Sequence, residues 1–168
     1  DGDGEVVCDT TLGLKLRAQR NVKSLRDDVD QHRLGIATDA YLEFLSLGGR
    51  LCMRPLDRSL IVASLSKGVP ILCGLSATYL YQESRERVTI VNQVARSSED
   101  DVGGEPQGHF VVLHGCSKRG RTVRVADPLH PNPMAPTGKY EAAFSRVASA
   151  ILLGIVTYDA NLLTVQPR

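Results

Sequence analysis

The sequence predicts an α+β protein in which helices are followed by an antiparallel β-sheet. Three observations carry this. Apolar residues at helical spacing are concentrated before residue 68. Runs rich in β-branched residues are concentrated after it. The strands are not separated by the regular helices that a parallel sheet requires. At 168 residues one domain is expected. The net charge of +1 argues for neither nucleic acid nor an acidic membrane surface as partner, and none is expected. No apolar run is long enough to span a bilayer. Cys8, Cys52, Cys73 and Cys116 are scattered without Cys-x-x-Cys spacing. That argues against a zinc site and fits reduced thiols in a cytoplasmic setting.

Taken in order, residues 1–4 are rich in Gly and acid and offer no element. Residues 5–8 read as a short strand. Leu12, Leu16, Val22 and Leu25 take helical spacing, with Lys15, Arg17, Arg20, Lys23 and Arg26 as a solvated basic face. Residues 24–35 are highly charged and read as solvated. Thr38 is placed to cap a helix carrying Tyr41, Leu42, Phe44, Leu45 and Leu47, which Gly48-Gly49 ends. Residues 50–54 read as a short strand. Pro55 opens a second helix over 56–67, with Leu60, Ile61 and Leu65 inward and Gly68 as its stop. Residues 69–75 form a buried strand and continue irregularly to Tyr81. Residues 82–107 are a polar excursion with a small strand at 88–91, read as solvated decoration or as a lid.

The most informative stretch is GHFVVLHGCSKRGRTVRVADP, residues 108–128. Two β-branched runs flank a polar loop ending in Gly, the pattern of a β-hairpin. A loop centred on Lys118 sets Leu113 opposite Val123, Val111 opposite Val125 and His109 opposite Asp127. Side chains alternate along a strand, so all six share one face. Facing Cβ atoms are roughly 5 Å apart, within reach of a carboxylate–imidazole hydrogen bond. A carboxylate holding a His is the orienting half of a nucleophile–His–acid triad; a purely structural pair has the same spacing. Four prolines in residues 127–138 exclude regular structure there. Residues 140–148 read as a helix with Phe144 and Val147 inward. Residues 151–158 and 162–165 read as closing strands, with 151–155 buried on both faces because the run is continuously apolar. A metal site from His109, Asp127 and His130 has no supporting ligand spacing, and no cofactor motif is present.

GVPILCGLSATYLY, GHFVVLHG, VRVADPLHPNP and AILLGIVTYDANLL together resemble the C39-like branch of the papain-like cysteine peptidases. The resemblance covers residues 38–167, and the His and Asp-Pro strands are its most specific part. It implies a papain-like fold acting on a peptide or protein substrate. His109 would be the general base and acid, and Asp127 its orienting partner. The family's nucleophile lies in a Cys-Gly motif with a Gln a few residues before it. No DCG or TCG occurs here, and residues 1–8 contain no Gln. Cys8 is the one thiol in about the right order, in the context VVCDTTLG. The expectation is therefore a degenerate domain, or one lacking its N-terminal part, and without turnover. The alternative is a non-catalytic module that binds peptide or protein.

Overall fold

The computed structural model describes residues 28–154 and 161–166. The expected strand at 5–8, the helix at 12–25, Cys8 and residues 155–158 lie outside them. The chain divides into two compact units, Asp1–Pro55 and Leu56–Arg168.

In the first unit, helix α1 spans Asp28–Ser46. Thr38 is therefore in the helix interior and caps nothing. The charged stretch read as solvated is helical from Asp28. No proline interrupts it, and its charged and long polar residues are compatible with a helix. A capping residue is only a local preference, and continuation of the hydrogen-bond ladder overrides it. The helix ends as expected: the Gly49 N–H donates to the Phe44 carbonyl at 2.9 Å, and Gly48 takes φ +87°. Residues 50–54 take no regular structure, contrary to the expected strand.

The second unit is a five-stranded antiparallel sheet with helices against one face. Helix α2, Arg58–Leu65, starts at Asp57, whose Oδ1 accepts the Leu60 N–H at 2.8 Å. Strand β1, Ile71–Ser76, follows. Ser76 then caps the five-residue helix α3, Ala77–Tyr81, in place of the expected irregular chain. Strands β2, Glu86–Val91, and β3, Val94–Glu99, pair as a separate ribbon. Asn92 and Gln93 both take positive φ at its turn, as a two-residue hairpin of right-handed twist requires. The expected strand at 88–91 lies within β2; its partner went unread because ARSSE carries few strand formers.

Strands β4, Gly108–Cys116, and β5, Thr122–Ala126, form the expected hairpin. Strand β6, Lys139–Ala143, helix α4, Phe144–Leu153, and strand β7, Leu162–Thr164, complete the unit. The sheet order is β6-β5-β4-β1-β7. The inward residues Cys73, Leu75, Val111, Leu113, Val123 and Val125 form one cluster with Ile61 of α2, Leu80 of α3 and Val147, Ala150 and Ile151 of α4. The α+β class is thus observed, with α3 and α4 set between strands rather than before them.

Two expectations at the C-terminal end are corrected. Residues 140–143 belong to β6, not to a helix, because Tyr140 and Ala142 alternate inward against Val125 and Val123. Residues 151–153 belong to α4, not to a strand. A short apolar run does not distinguish a buried strand from a buried helical turn, and here Val147, Ala150 and Ile151 recur at helical spacing on the core side. Ile151 is 3% exposed and Leu153 is 44% exposed. Ile151→Ala should therefore cost about 2–5 kcal/mol, whereas Leu153→Ala should cost about 1 kcal/mol or less. Urea midpoints of the two variants check this; equal losses would restore the two-sided strand.

Candidate functional site

At one end of the sheet β1 runs out at Ser76, opposite the start of β4 at Gly108, and β5 stops at Ala126. His109 stands at this end, opposite Leu75. The observed register differs by two residues from the expected one: Leu113 faces Val125, and Val112 faces Ala126. Asp127 is therefore diagonal to His109 rather than opposite it. A two-residue slide keeps every side chain on its face, and a diagonal neighbour is still within reach of a long side chain.

A β-bulge makes this possible. Near the turn Cys116 faces Val123 and Gly115 faces Arg124, and one extra residue is taken up on β4 between Leu113 and Gly115. If the turn-side register continued, Asp127 would share the outward face with Val112. The bulge returns it to the face of His109. It also turns Cys116 inward, where it packs against the core.

His109 Nε2 lies 2.9 Å from Asp127 Oδ1. The Asp127 side chain has no solvent exposure, and that of His109 is 20% exposed. Oδ1 also accepts the Leu129 N–H at 3.0 Å. Oδ2 accepts the hydroxyls of Tyr81 and Tyr140, each at 2.8 Å. A carboxylate offers about four lone-pair positions, and four donors occupy them. The backbone beyond is pinned as well: the Asp127 N–H donates to the Gly138 carbonyl at 2.8 Å. Gly138 takes φ +65°, and a Cβ there would collide with the Asp127 carbonyl oxygen, so this position requires glycine.

Burial alone would push the Asp127 carboxyl up. The hydrogen bonds from His109, Leu129 N–H, Tyr140 and Tyr81 outweigh it and hold the group below its ordinary value of 3.8. Asp127 is thus ionised and can only accept, so Nε2 of neutral His109 carries the proton. Nδ1 is left with the lone pair, and it has no hydrogen-bond partner among the described residues. Burial first, and then the hydrogen bond to Asp127, push Tyr81 and Tyr140 above their ordinary value of 10.0. Both phenols are neutral donors. The Tyr81 ring also leans on the imidazole, with centroids 6.1 Å apart.

The structure brings together His109 and Asp127 of the sequence-derived site; Cys8 lies outside the described residues. Sequence reasoning missed Tyr81 and Tyr140. Tyr81 sat in a stretch read as irregular, and Tyr140 in one read as helix; the available signal was that a buried carboxylate needs donors. Cys73 shares the face of His109 but is fully buried, and burial pushes its thiol up to about 12, so it stays a neutral thiol. Cys116 stands at the opposite end of β4, seven residues from His109, or roughly 23 Å along the strand. Cys52 is exposed and belongs to the other unit. Among the described residues, no group of three or more His, Cys, Asp or Glu is arranged to hold a metal ion. No helix among them is long and apolar enough to cross a membrane. Comparisons with protein-family models, curated proteins and solved structures find no match to this chain.

A depressed carboxylate contributes stability above its unfolded value and loses it as pH falls through the folded one. Asp127→Asn should therefore cost about 2–4 kcal/mol near neutrality, because it leaves buried donors without a charged acceptor. The difference from the parent chain should shrink progressively below about pH 4. Urea denaturation across this range measures both. A variant as stable as the parent at neutral pH would mean that the carboxylate does not hold this end of the sheet together.

Proposed function

We propose that this chain is a papain-like domain of the C39-like branch, built to act on peptide amide bonds, with His109 as general base and acid and Asp127 as its orienting partner. The observation that carries the reading is the 2.9 Å bond from His109 Nε2 to a fully buried, ionised Asp127. It leaves Nδ1 as the nitrogen for proton transfer. In the reaction Nδ1 removes the proton of a thiol, and the thiolate attacks the peptide carbonyl. The imidazolium, stabilised by Asp127, returns the proton to the departing amine. A thioester remains, and water attacks it with Nδ1 again taking the proton. Cys8 is the candidate thiol. The order of a strand leading into α3, then the His strand, then the Asp-Pro strand supports the resemblance.

One observation favours a second reading, a non-catalytic module that binds peptide or protein. Within Leu56–Arg168, neither Cys73 nor Cys116 is placed to serve His109. We therefore expect no turnover of a broad peptide library by the 168-residue chain under reducing conditions, and no change on Cys8→Ala. Turnover abolished by both Cys8→Ala and His109→Ala would identify Cys8 as the nucleophile. The base itself is tested separately with an activated peptide ester and an added small thiol. The thiol-dependent rate should fall about 100-fold in His109→Ala, the lower end of a positioned general base. An unchanged rate would remove the amide-hydrolysing reading and leave the binding module.

A further inference from the structure

We propose that Tyr81 and Tyr140 are positioning residues that act through Asp127 to keep the proton of His109 on Nε2. The two phenols come from different elements, α3 and β6, and converge on one oxygen, each at 2.8 Å. The other oxygen is left to His109 and the Leu129 N–H. The carboxylate torsion of an Asp is broad and nearly two-fold, so the donors, not the torsion, fix its plane.

The consequence for His109 follows from the proton balance. An ionised Asp127 accepts from Nε2–H and leaves Nδ1 with its lone pair. A neutral Asp127 would have taken up one proton from solvent, so the pair would hold one proton more and Asp127 its own hydroxyl. If it donated that proton to Nε2, the imidazole would have to carry its proton on Nδ1. That is the nitrogen which the proposed chemistry needs bare. Without the phenols, Oδ2 would be a buried anionic oxygen lacking donors, a state that a carboxyl relieves by protonation. The phenols thus guard the tautomer by keeping the charge on Asp127. One phenol still satisfies Oδ2, so the pair is redundant and its two losses should not be additive.

This rests on the proposed function only for the use made of Nδ1, and its test needs no substrate. Tyr81→Phe, Tyr140→Phe and the double variant keep the rings and remove only the hydroxyls. Nitrogen NMR of the His109 ring across the acid titration of the pair reads whether Nε2 carries a proton; carboxyl-carbon NMR reads the Asp127 titration. We expect the parent and both single variants to hold the proton on Nε2. In the double variant, once the pair has taken up one proton from solvent, the ratio of protonated to bare Nε2 should fall about tenfold, as the loss of one charge-assisted hydrogen bond implies. The Asp127 titration should move up in each single variant and by more than their sum in the double. Ile151→Ala, which loosens the core without touching the carboxylate, should leave the tautomer unchanged; a merely structural role would make it behave like the tyrosine variants. Parent-like tautomer and Asp127 titration in the double variant would overturn the proposal. Should the double variant not fold, the single variants decide: no upward movement of Asp127 in either overturns it. A chain without peptide turnover leaves these readouts intact, so the two proposals fail separately.

Discussion

An ionised carboxylate shut away from water must be surrounded by donors, and Asp127 imposes that requirement on the second unit. Its four donors come from β4, from the residue two positions on, from α3 and from β6. Each contributing element is held where its donor is needed. Ser76 ends β1 and caps α3, which turns Tyr81 toward the carboxylate. Gly138 permits the close backbone approach that starts β6, and Tyr140 follows two residues later. The bulge on β4 keeps His109 and Asp127 on one face. Removing one partner from such a network costs more than the bond itself is worth, because the remaining buried groups lose their compensation.

The parts of this arrangement that were legible in the sequence are those with short-range periodicity. The strands of the β4–β5 hairpin follow from β-branched alternation, and the inward placement of Val111, Leu113, Val123 and Val125 follows from a period of two. The His109–Asp127 pair was reached from the same parity, although the assumed register was two residues off. It survived because an error of two preserves the face, whereas an error of one would have destroyed it. The bulge has no signature in VLHGC that a propensity argument detects. Without the bulge the parity would have been wrong.

The parts that were not legible depend on tertiary context. Residues 151–153 are apolar enough for a buried strand, and only the placement of Ala150 and Val147 against β1 makes them a helix. Residues 28–35 carry no apolar periodicity that marks a helix, and the helix that carries Tyr41 and Phe44 runs through them. Tyr81 and Tyr140 are 59 residues apart in a sequence that gives no reason to pair them. Their common feature is a shared acceptor, which exists only once the sheet has formed.

The same geometry sets the surroundings of the imidazole and of the thiols in this unit. Asp127 takes Nε2, so Nδ1 is the ring nitrogen left with its lone pair. The inward side of the sheet is filled by the core to which Cys73 belongs, and burial there pushes its thiol up to about 12, so it stays neutral. The bulge that fixes the dyad also directs Cys116 into the core at the far end of β4. The same features that order His109 therefore withdraw both thiols of this unit from it. The sheet thus fixes the hydrogen bond of His109 to Asp127 and at the same time keeps both thiols of this unit away from the imidazole.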